Sequence, residues 1–268
     1  MRDWASSGQI KVERAREHIR DLESEIAGFR NRNPYRVMSE RNAQHGGTDA
    51  VVRVLEPVPT AWSAIASDAI HNLNVALDYM WQRAVHGSKV ARGDYFPVCA
   101  NPEEAERRFK GRQSGRVQQA VKVLRDAGAF SAANPFHAIR EFDNTDKHDT
   151  ISLVACYLPE WGIDIGRSVG ARRPIVFRQR FAEWRSIEDG LVLYSLAATL
   201  SEVDVDHELP FEIVFGQPEA LKGEPVIPAI QRLAQAVDDL ASAFCAKGLI
   251  QPATRRGPTP NGSRPPEQ

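Results

Sequence analysis

Two segments of the chain carry histidine, carboxylate and amide side chains at spacings that could support chemistry. In segment 61–86, one stripe at helical periodicity holds Asp68, His71, Asn72, Asp78, Tyr79, Gln82 and His86. In segment 134–148, the spacings are four, three and four residues for His137, Glu141, Asn144 and His148. Side chains of these types can transfer protons, ligate metal ions or pair as charges. These two stripes are therefore the first candidates for a functional site.

Pairing between the two stripes is one expectation, because each lies on one side of a predicted helix. If the helices pack together, Asp78 or Asp68 would meet Lys147 or His148. Asp146 would then lie in the same polar cluster as Asn144 and His71. A solvent-exposed polar surface and a functional site are the two alternatives to such a structural network.

Metal ligation is a weaker hypothesis for the same residues. His71 with Asp78, and His137 with Glu141, could supply nitrogen and oxygen ligands. The sequence has no H-E-x-x-H motif and no compact ligand triplet, so we predict no metal site. The motifs G-x-S-x-G, G-x-x-x-x-G-K-[ST] and G-x-G-x-x-G are also absent. We therefore predict neither a serine-hydrolase elbow nor a phosphate-binding loop, and no cofactor.

A basic run is the second candidate region. Seven basic residues and no acidic residue lie between positions 107 and 125, whereas segment 188–208 contains no Lys or Arg. The run could bind phosphates or an acidic partner, and segment 188–208 could be that partner in the same chain or in another copy. A solvated helix face is favoured, because Phe109 is the only aromatic residue in the run. The candidate binding residues are Arg107, Arg108, Lys110, Arg112 and Arg116.

Hydrophobic periodicity predicts the helices that position these residues. The helix over 61–86 is apolar around most of its circumference, which is typical of a central core helix. The other predicted helices cover 9–31, 114–128, 134–148 and 228–247, and segment 103–112 is short and charged. The first of these has a seam of Val12, Ala15, Ile19, Leu22, Ile26 and Phe29. Packing of this seam on the chain's own core is favoured over a homo-oligomeric coiled coil, which needs more heptads.

Short apolar runs predict strands, and their short connections favour an antiparallel sheet. The runs are 51–59, 151–157, 161–165, 173–179, 190–196 and 209–216, and segment 39–50 is predicted to be a polar loop. The predicted fold is α+β, with a helical core and a small antiparallel sheet in a single domain over 1–250. Residues 251–268 are rich in proline and polar residues and are predicted to be disordered.

Composition narrows the functional classes. The 268 residues are 42% hydrophobic, which is enough for a core, and the net charge of −1 gives no overall attraction to nucleic acid or anionic membrane. The three cysteines are far apart and form no C-x-x-C pair, which favours a reducing, cytoplasmic setting. No signal-like or membrane-spanning apolar segment is apparent, so no membrane association is predicted.

Two motifs resemble those of a group of uncharacterised bacterial proteins. They are HNLNVALDYMWQ over 71–82 and NTDKHDTISLV over 144–154, with YFPVC over 95–99 between them. The group carries an H-N-L-R-x-A-L-D-x-x-x-W-like helix and a D-K-H-R-like segment. Asn74 and Asp149 stand where arginine is usual in the group. The resemblance supports the pairing of the two helices and implies no specific activity.

A distant likeness to helical HEPN domains suggests one enzymatic alternative. Many HEPN proteins are ribonucleases that use an arginine and a histidine four to six residues apart on one helix. This chain has Asn74 and Tyr79 at the corresponding positions, which argues against that chemistry. The leading hypothesis is a binding or assembly module without intrinsic catalysis. The alternatives are a HEPN-like ribonuclease of a toxin or defence system, and a metal-dependent hydrolase that uses the histidine and aspartate residues.

Overall fold

The computed structural model describes residues 4–44, 46–87, 89, 91, 93–112, 114–146, 151–157, 160–164, 176–180, 185–196 and 207–251. This part of the chain combines helices with antiparallel sheets, which confirms the predicted α+β class. The helices are α1 (Trp4–Asn31), α2 (Ala61–His86), α3 (Pro102–Phe109), α4 (Gly115–Asp126), α5 (Pro135–Asp146) and α6 (Val226–Ala246). The strands are β1 (Tyr35–Arg41), β2 (Thr48–Val54), β3 (Leu153–Tyr157), β4 (Glu160–Asp164), β5 (Val176–Arg180), β6 (Arg185–Ser186), β7 (Val192–Leu196), β8 (His207–Glu208) and β9 (Phe211–Phe215).

Helix α2 is the central helix, as its wide apolar surface predicts. It packs against α1, α4, α5 and α6, and Trp62, Leu73 and Trp81 are buried along it. Gly87 ends the helix with φ of 63°, and its N–H donates to the Arg83 carbonyl at 3.0 Å. Glycine suits this position because the left-handed region costs it little.

Helix α1 lies beside α2 and α6 and begins at Trp4, earlier than the predicted start at position 9. All of its predicted seam residues are buried, and Phe29 packs edge-to-face on Trp62 with ring centroids 5.2 Å apart. The seam is thus occupied by packing within the chain. Because these side chains are buried within the chain, the structure gives no support to the alternative prediction of a homo-oligomer through this seam.

The strands form three antiparallel sheets, not the one small sheet predicted. Their orders are β7-β2-β1-β8, β6-β3-β9 and β4-β5. The predicted loop over 39–50 is wrong at both ends, because β1 and β2 pair from Tyr35 opposite Val54 to Arg41 opposite Thr48. The buried face of this hairpin, which includes Val37 and Val52, stabilises a longer ladder than the polar residues suggest.

One hydrophobic core joins helices and sheets within the described residues. Phe142 of α5 packs on Phe215 of β9 with centroids 5.6 Å apart. Cys99 and Cys156 are buried free thiols, and burial raises the pKa of both. None of the helices in this part of the chain has the length and hydropathy needed to cross a membrane. The predicted disordered tail lies outside the described residues from position 252 onward.

Candidate functional site

A buried carboxylate lies at the centre of the contact between α2 and α5. Asp143 accepts hydrogen bonds from Asn74 Nδ2 at 2.8 Å and from His71 Nδ1 at 2.6 Å, one on each carboxylate oxygen. The side chain of Asp143 is only 2% exposed, whereas that of His71 is 50% exposed. The carboxylate therefore fixes the imidazole while the opposite edge of the ring faces water.

The two polar stripes meet through an ion pair between Asp78 of α2 and Arg140 of α5. Asp78 Oδ1 lies 3.0 Å from the Arg140 guanidinium and accepts the Phe96 N–H at 2.9 Å. Ser67 of α2 donates to Asp146 Oδ1 at 2.7 Å. The predicted partners of Asp78, Lys147 and His148, lie outside the described residues.

Other members of the predicted stripes do not join this contact. Asp68 and Asn144 are exposed. His137 Nδ1 lies 3.7 Å from Glu141 Oε2 on the same helix, which is too long for a hydrogen bond. No group of three or more histidine, cysteine or carboxylate side chains converges in the described part of the chain. The metal-ligand hypothesis for His71, Asp78, His137 and Glu141 therefore gains no support from their positions.

Two residues of α5 that bond to α2, Asp143 and Arg140, were not among the predicted site residues. The sequence did carry a signal for Asp143, because this residue follows Phe136 by seven residues and Ile139 by four. Those spacings place it on the buried face of the helix. A carboxylate on an apolar stripe indicates a buried hydrogen-bonding partner, since an unpaired charge there would be costly.

The second half of the α2 stripe faces the segment that follows the helix. Gln82 Nε2 donates to the Asp94 carbonyl, and Gln82 Oε1 accepts the Ala91 N–H at 3.2 Å. The Phe96 N–H bond to Asp78 holds the end of the same segment. These three bonds fix Ala91, Asp94 and Phe96 along the exposed side of α2.

A cleft opens between α2 and this segment, and we call it the tyrosine cleft. Its volume is about 350 Å³. Helix α2 contributes Val75, Asp78, Tyr79 and Gln82, and the following segment contributes Ala91, Gly93 and Tyr95. The two tyrosines are 43% and 59% exposed, which makes them the only large aromatic residues among the exposed hydrophobic residues of the described chain.

Asp94 anchors the outer wall of the cleft. Its carboxylate lies 2.7 Å from His86 Nε2 and accepts two bonds from Arg112, at 2.6 and 3.1 Å. Burial acts to raise the pKa of Asp94, but the hydrogen bonds from Arg112 and His86 dominate and lower it to about 2. The Arg112 guanidinium also lies over the rings of Trp81 and Phe109, 5.9 Å from each centroid.

The basic run is divided between structural and exposed residues. Arg112 pairs with Asp94, and Arg116 donates to the carbonyls of Arg83, Ala84 and Leu249. Both arginines are engaged within the chain, so their positions give no support to the prediction that they bind phosphate or an acidic partner. Arg107, Arg108 and Lys110 are exposed and form no ion pair with a described residue.

The acidic segment over 188–208 was the predicted intramolecular partner of the basic run. Its described part does not support that pairing. Asp189 accepts the Val54 N–H at 2.9 Å and lies 3.4 Å from the Arg53 guanidinium. This carboxylate therefore ties the start of β7 to β2. Residues 197–206 lie outside the described chain.

The positions compared with the HEPN pair lie in different environments. Asn74 is 3% exposed and donates to Asp143, so it is not accessible to an external phosphate. Tyr79 is exposed and lines the tyrosine cleft. Comparison of the chain with protein-family models, with curated proteins and with solved structures finds no match.

Proposed function

We propose that this protein is a binding module and that its ligand occupies the tyrosine cleft. The observation that carries the proposal is the pair of exposed tyrosines, Tyr79 and Tyr95, on opposite walls of one cleft. A tyrosine ring offers a large apolar face and one polar atom, and such residues are common at binding sites. The cleft volume of about 350 Å³ lies at the lower end of the range for small-ligand pockets, which is roughly 300–1,000 Å³.

The polar residues of the cleft support binding more than catalysis. Gln82 uses both ends of its amide to hold the facing segment, and Asp78 Oδ1 is bound to Arg140 and to the Phe96 N–H. These side chains preorganise the walls, which reduces the entropy that a ligand must remove on binding. No nucleophile paired with a base lines this cleft among the described residues.

Fragment binding tests the proposal. Ligands detected by saturation-transfer NMR with the wild-type protein should lose their signals in the double variant Tyr79→Ala/Tyr95→Ala. Leu55→Ala is the matched control, because Leu55 is 58% exposed, close to the 59% of Tyr95, and lies outside the cleft. The absence of any fragment signal that depends on the tyrosines would contradict a binding role for the cleft.

Acid–base catalysis at His71 is a second candidate, favoured by the buried carboxylate of Asp143. A carboxylate on Nδ1 holds the proton there and leaves Nε2 as the acceptor on the half-exposed edge. This arrangement would suit the hydrolase and ribonuclease alternatives. Position 74, however, carries a buried Asn in place of the arginine of HEPN ribonucleases.

Assays of RNA and activated esters test this candidate. Catalysis at His71 requires turnover that falls by roughly 100-fold or more in His71→Gln. It also requires the ¹⁵N shifts of His71 to report an Nδ1–H tautomer that is lost in Asp143→Asn. His18→Gln on α1 serves as the control. Turnover that survives in His71→Gln would remove His71 from the reaction.

A further inference from the structure

We infer that the tyrosine cleft selects an organic cation, an ammonium group that carries apolar substituents. This inference deepens the proposed function and rests on it. It draws on three properties of the cleft: the sign of its charge, the accessibility of its aromatic faces and the apolar character of the remaining wall.

Among the described residues that line the cleft, the carboxylate of Asp78 is the only formal charge. Arg140 and the Phe96 N–H both bond to Oδ1 of this group, and no described residue donates to Oδ2. A cation in the cleft can therefore interact with Asp78 without displacing Arg140. A phosphate or carboxylate ligand at Oδ2 would meet the negative end of the Asp78–Arg140 pair, so this oxygen favours cations over anions.

The two tyrosine rings are accessible to a ligand. Neither Tyr79 nor Tyr95 stacks on another aromatic ring in the described chain, and no described residue forms a hydrogen bond with either side chain. Because the face of an aromatic ring carries negative electrostatic potential, it attracts cations, and the attraction grows when the cation is desolvated. Two such faces and one carboxylate around one cleft are a suitable set for a bulky cation.

The rest of the lining favours an alkylated cation over a compact, hydrated one. Val75, Ala91 and Gly93 offer no charged or hydrogen-bonding side chain, and both ends of the Gln82 amide are already bonded. A primary ammonium would lose water here without replacing all its hydrogen bonds. Methyl groups on the nitrogen remove that cost and contact the apolar wall. A metal ion is disfavoured because no cluster of ligating side chains occurs in the described residues.

The test is a pair of titrations of the full chain, one with choline and one with its uncharged isostere 3,3-dimethylbutan-1-ol. Binding of each compound is monitored by ¹⁵N-edited NMR. We expect choline to bind about 2- to 30-fold more tightly, the range that cation–π attraction provides. Shifts should concentrate in the amides of Val75, Tyr79, Gly93 and Tyr95. Equal affinity for the two probes would overturn the inference.

Variants separate recognition of the cation from folding. Tyr95→Leu should reduce the preference for choline, because Tyr79 and Asp78 remain, whereas Tyr95→Phe should retain it, because phenylalanine keeps the aromatic face. Tyr95 is 59% exposed, so both variants should fold. A Tyr95→Leu protein that prefers choline over the alcohol as strongly as the wild type would contradict the role of the ring.

Two sources of the cation can be distinguished by a third probe, a short peptide with one trimethyllysine beside an identical peptide with unmodified lysine. Tighter binding of the trimethylated peptide than of choline would identify a protein tail as the source, and the reverse would identify a free small molecule. Both results support a cationic ligand.

Fragment signals that depend on the tyrosines but come only from neutral or anionic compounds would overturn the cation class and leave the proposed binding function intact. No such signal from any compound would overturn both.

Discussion

Asp94 is the residue whose charge couples the wall of the tyrosine cleft to pH. Its pKa is about 2 in the folded chain against an ordinary value of 3.8, so ionised Asp94 stabilises the fold. A lowered carboxyl pKa means that this contribution is complete above about pH 4 and is lost as the pH falls towards about 2. The Arg112 guanidinium and His86 are the groups that hold the charge.

Replacement of this carboxylate should therefore have a pH-dependent effect. Asp94→Asn should lower the free energy of unfolding by about 1–3 kcal/mol at pH 7, because Arg112 keeps its charge and loses its partner. The difference from wild type should shrink in urea titrations at pH 3. Asp126→Asn is the matched control, since Asp126 is an exposed carboxylate on α4. If the difference in unfolding free energy between wild type and Asp94→Asn stayed constant between pH 7 and pH 3, the electrostatic explanation would be contradicted.

Asp78 and Arg140 form the charged pair that links α2 to α5. Their side chains are 22% and 23% exposed, so each loses much of its hydration in the fold. Asp78→Asn and Arg140→Met should each destabilise the chain. The double variant should recover part of the sum, with a coupling of about 0.5–3 kcal/mol in urea unfolding. Strictly additive losses would show that the pair contributes no energy of its own.

At the scale of elements, α2 determines the stability of the helical core. Leu73 is fully buried among the neighbours of this helix. Leu73→Ala should therefore cost about 2–5 kcal/mol of unfolding free energy, the usual range for a buried leucine. Leu55→Ala, at an exposed position, should change it by less than about 0.5 kcal/mol. A similarly small change for Leu73→Ala would contradict a central position for α2.

Local patterns explain why the helices were easier to predict than the strands. The predicted ends of α2 match the structure, because Gly87 and the apolar periodicity are both local signals. Strand β1 was missed because it has only two buried alternating positions, Tyr35 and Val37, before polar residues begin. Strands β6 and β8 have two residues each, which is too short for any periodicity.

At the candidate site, too, the sequence predicts local structure better than it predicts the contacts between helices. Periodicity identifies the side of α2 that carries polar residues, but it does not determine which turn of α5 lies opposite. Asp78 therefore meets Arg140, and His71 meets Asp143. The cleft depends on a contact that no local pattern predicts, because Asp94 and Phe96 return to bond with α2. Tyr79 was visible in the stripe, whereas nothing in the sequence placed Tyr95 beside it.

For the whole molecule, the described helices share one core with the sheet of β7, β2, β1 and β8 and the sheet of β6, β3 and β9. Phe211 of β9 packs on Tyr35 of β1 with ring centroids 4.7 Å apart and on Phe29 of α1 at 5.9 Å. Through these rings, the sheet of β6, β3 and β9 contacts both the first hairpin and the longest helix. Separate unfolding of any of these elements would expose aromatic surface of the others to water.

Unfolding in urea should consequently be a single cooperative transition. Trp62 and Trp81 are fully buried on α2, so their fluorescence reports on the packing of the core. Circular dichroism at the helical band reports on the six helices. The two signals should give the same midpoint and the same dependence on urea, as expected for two-state behaviour. A fluorescence transition at lower urea than the loss of helix would show that the core loosens while the helices persist, and it would contradict unfolding of the helices and sheets as one unit.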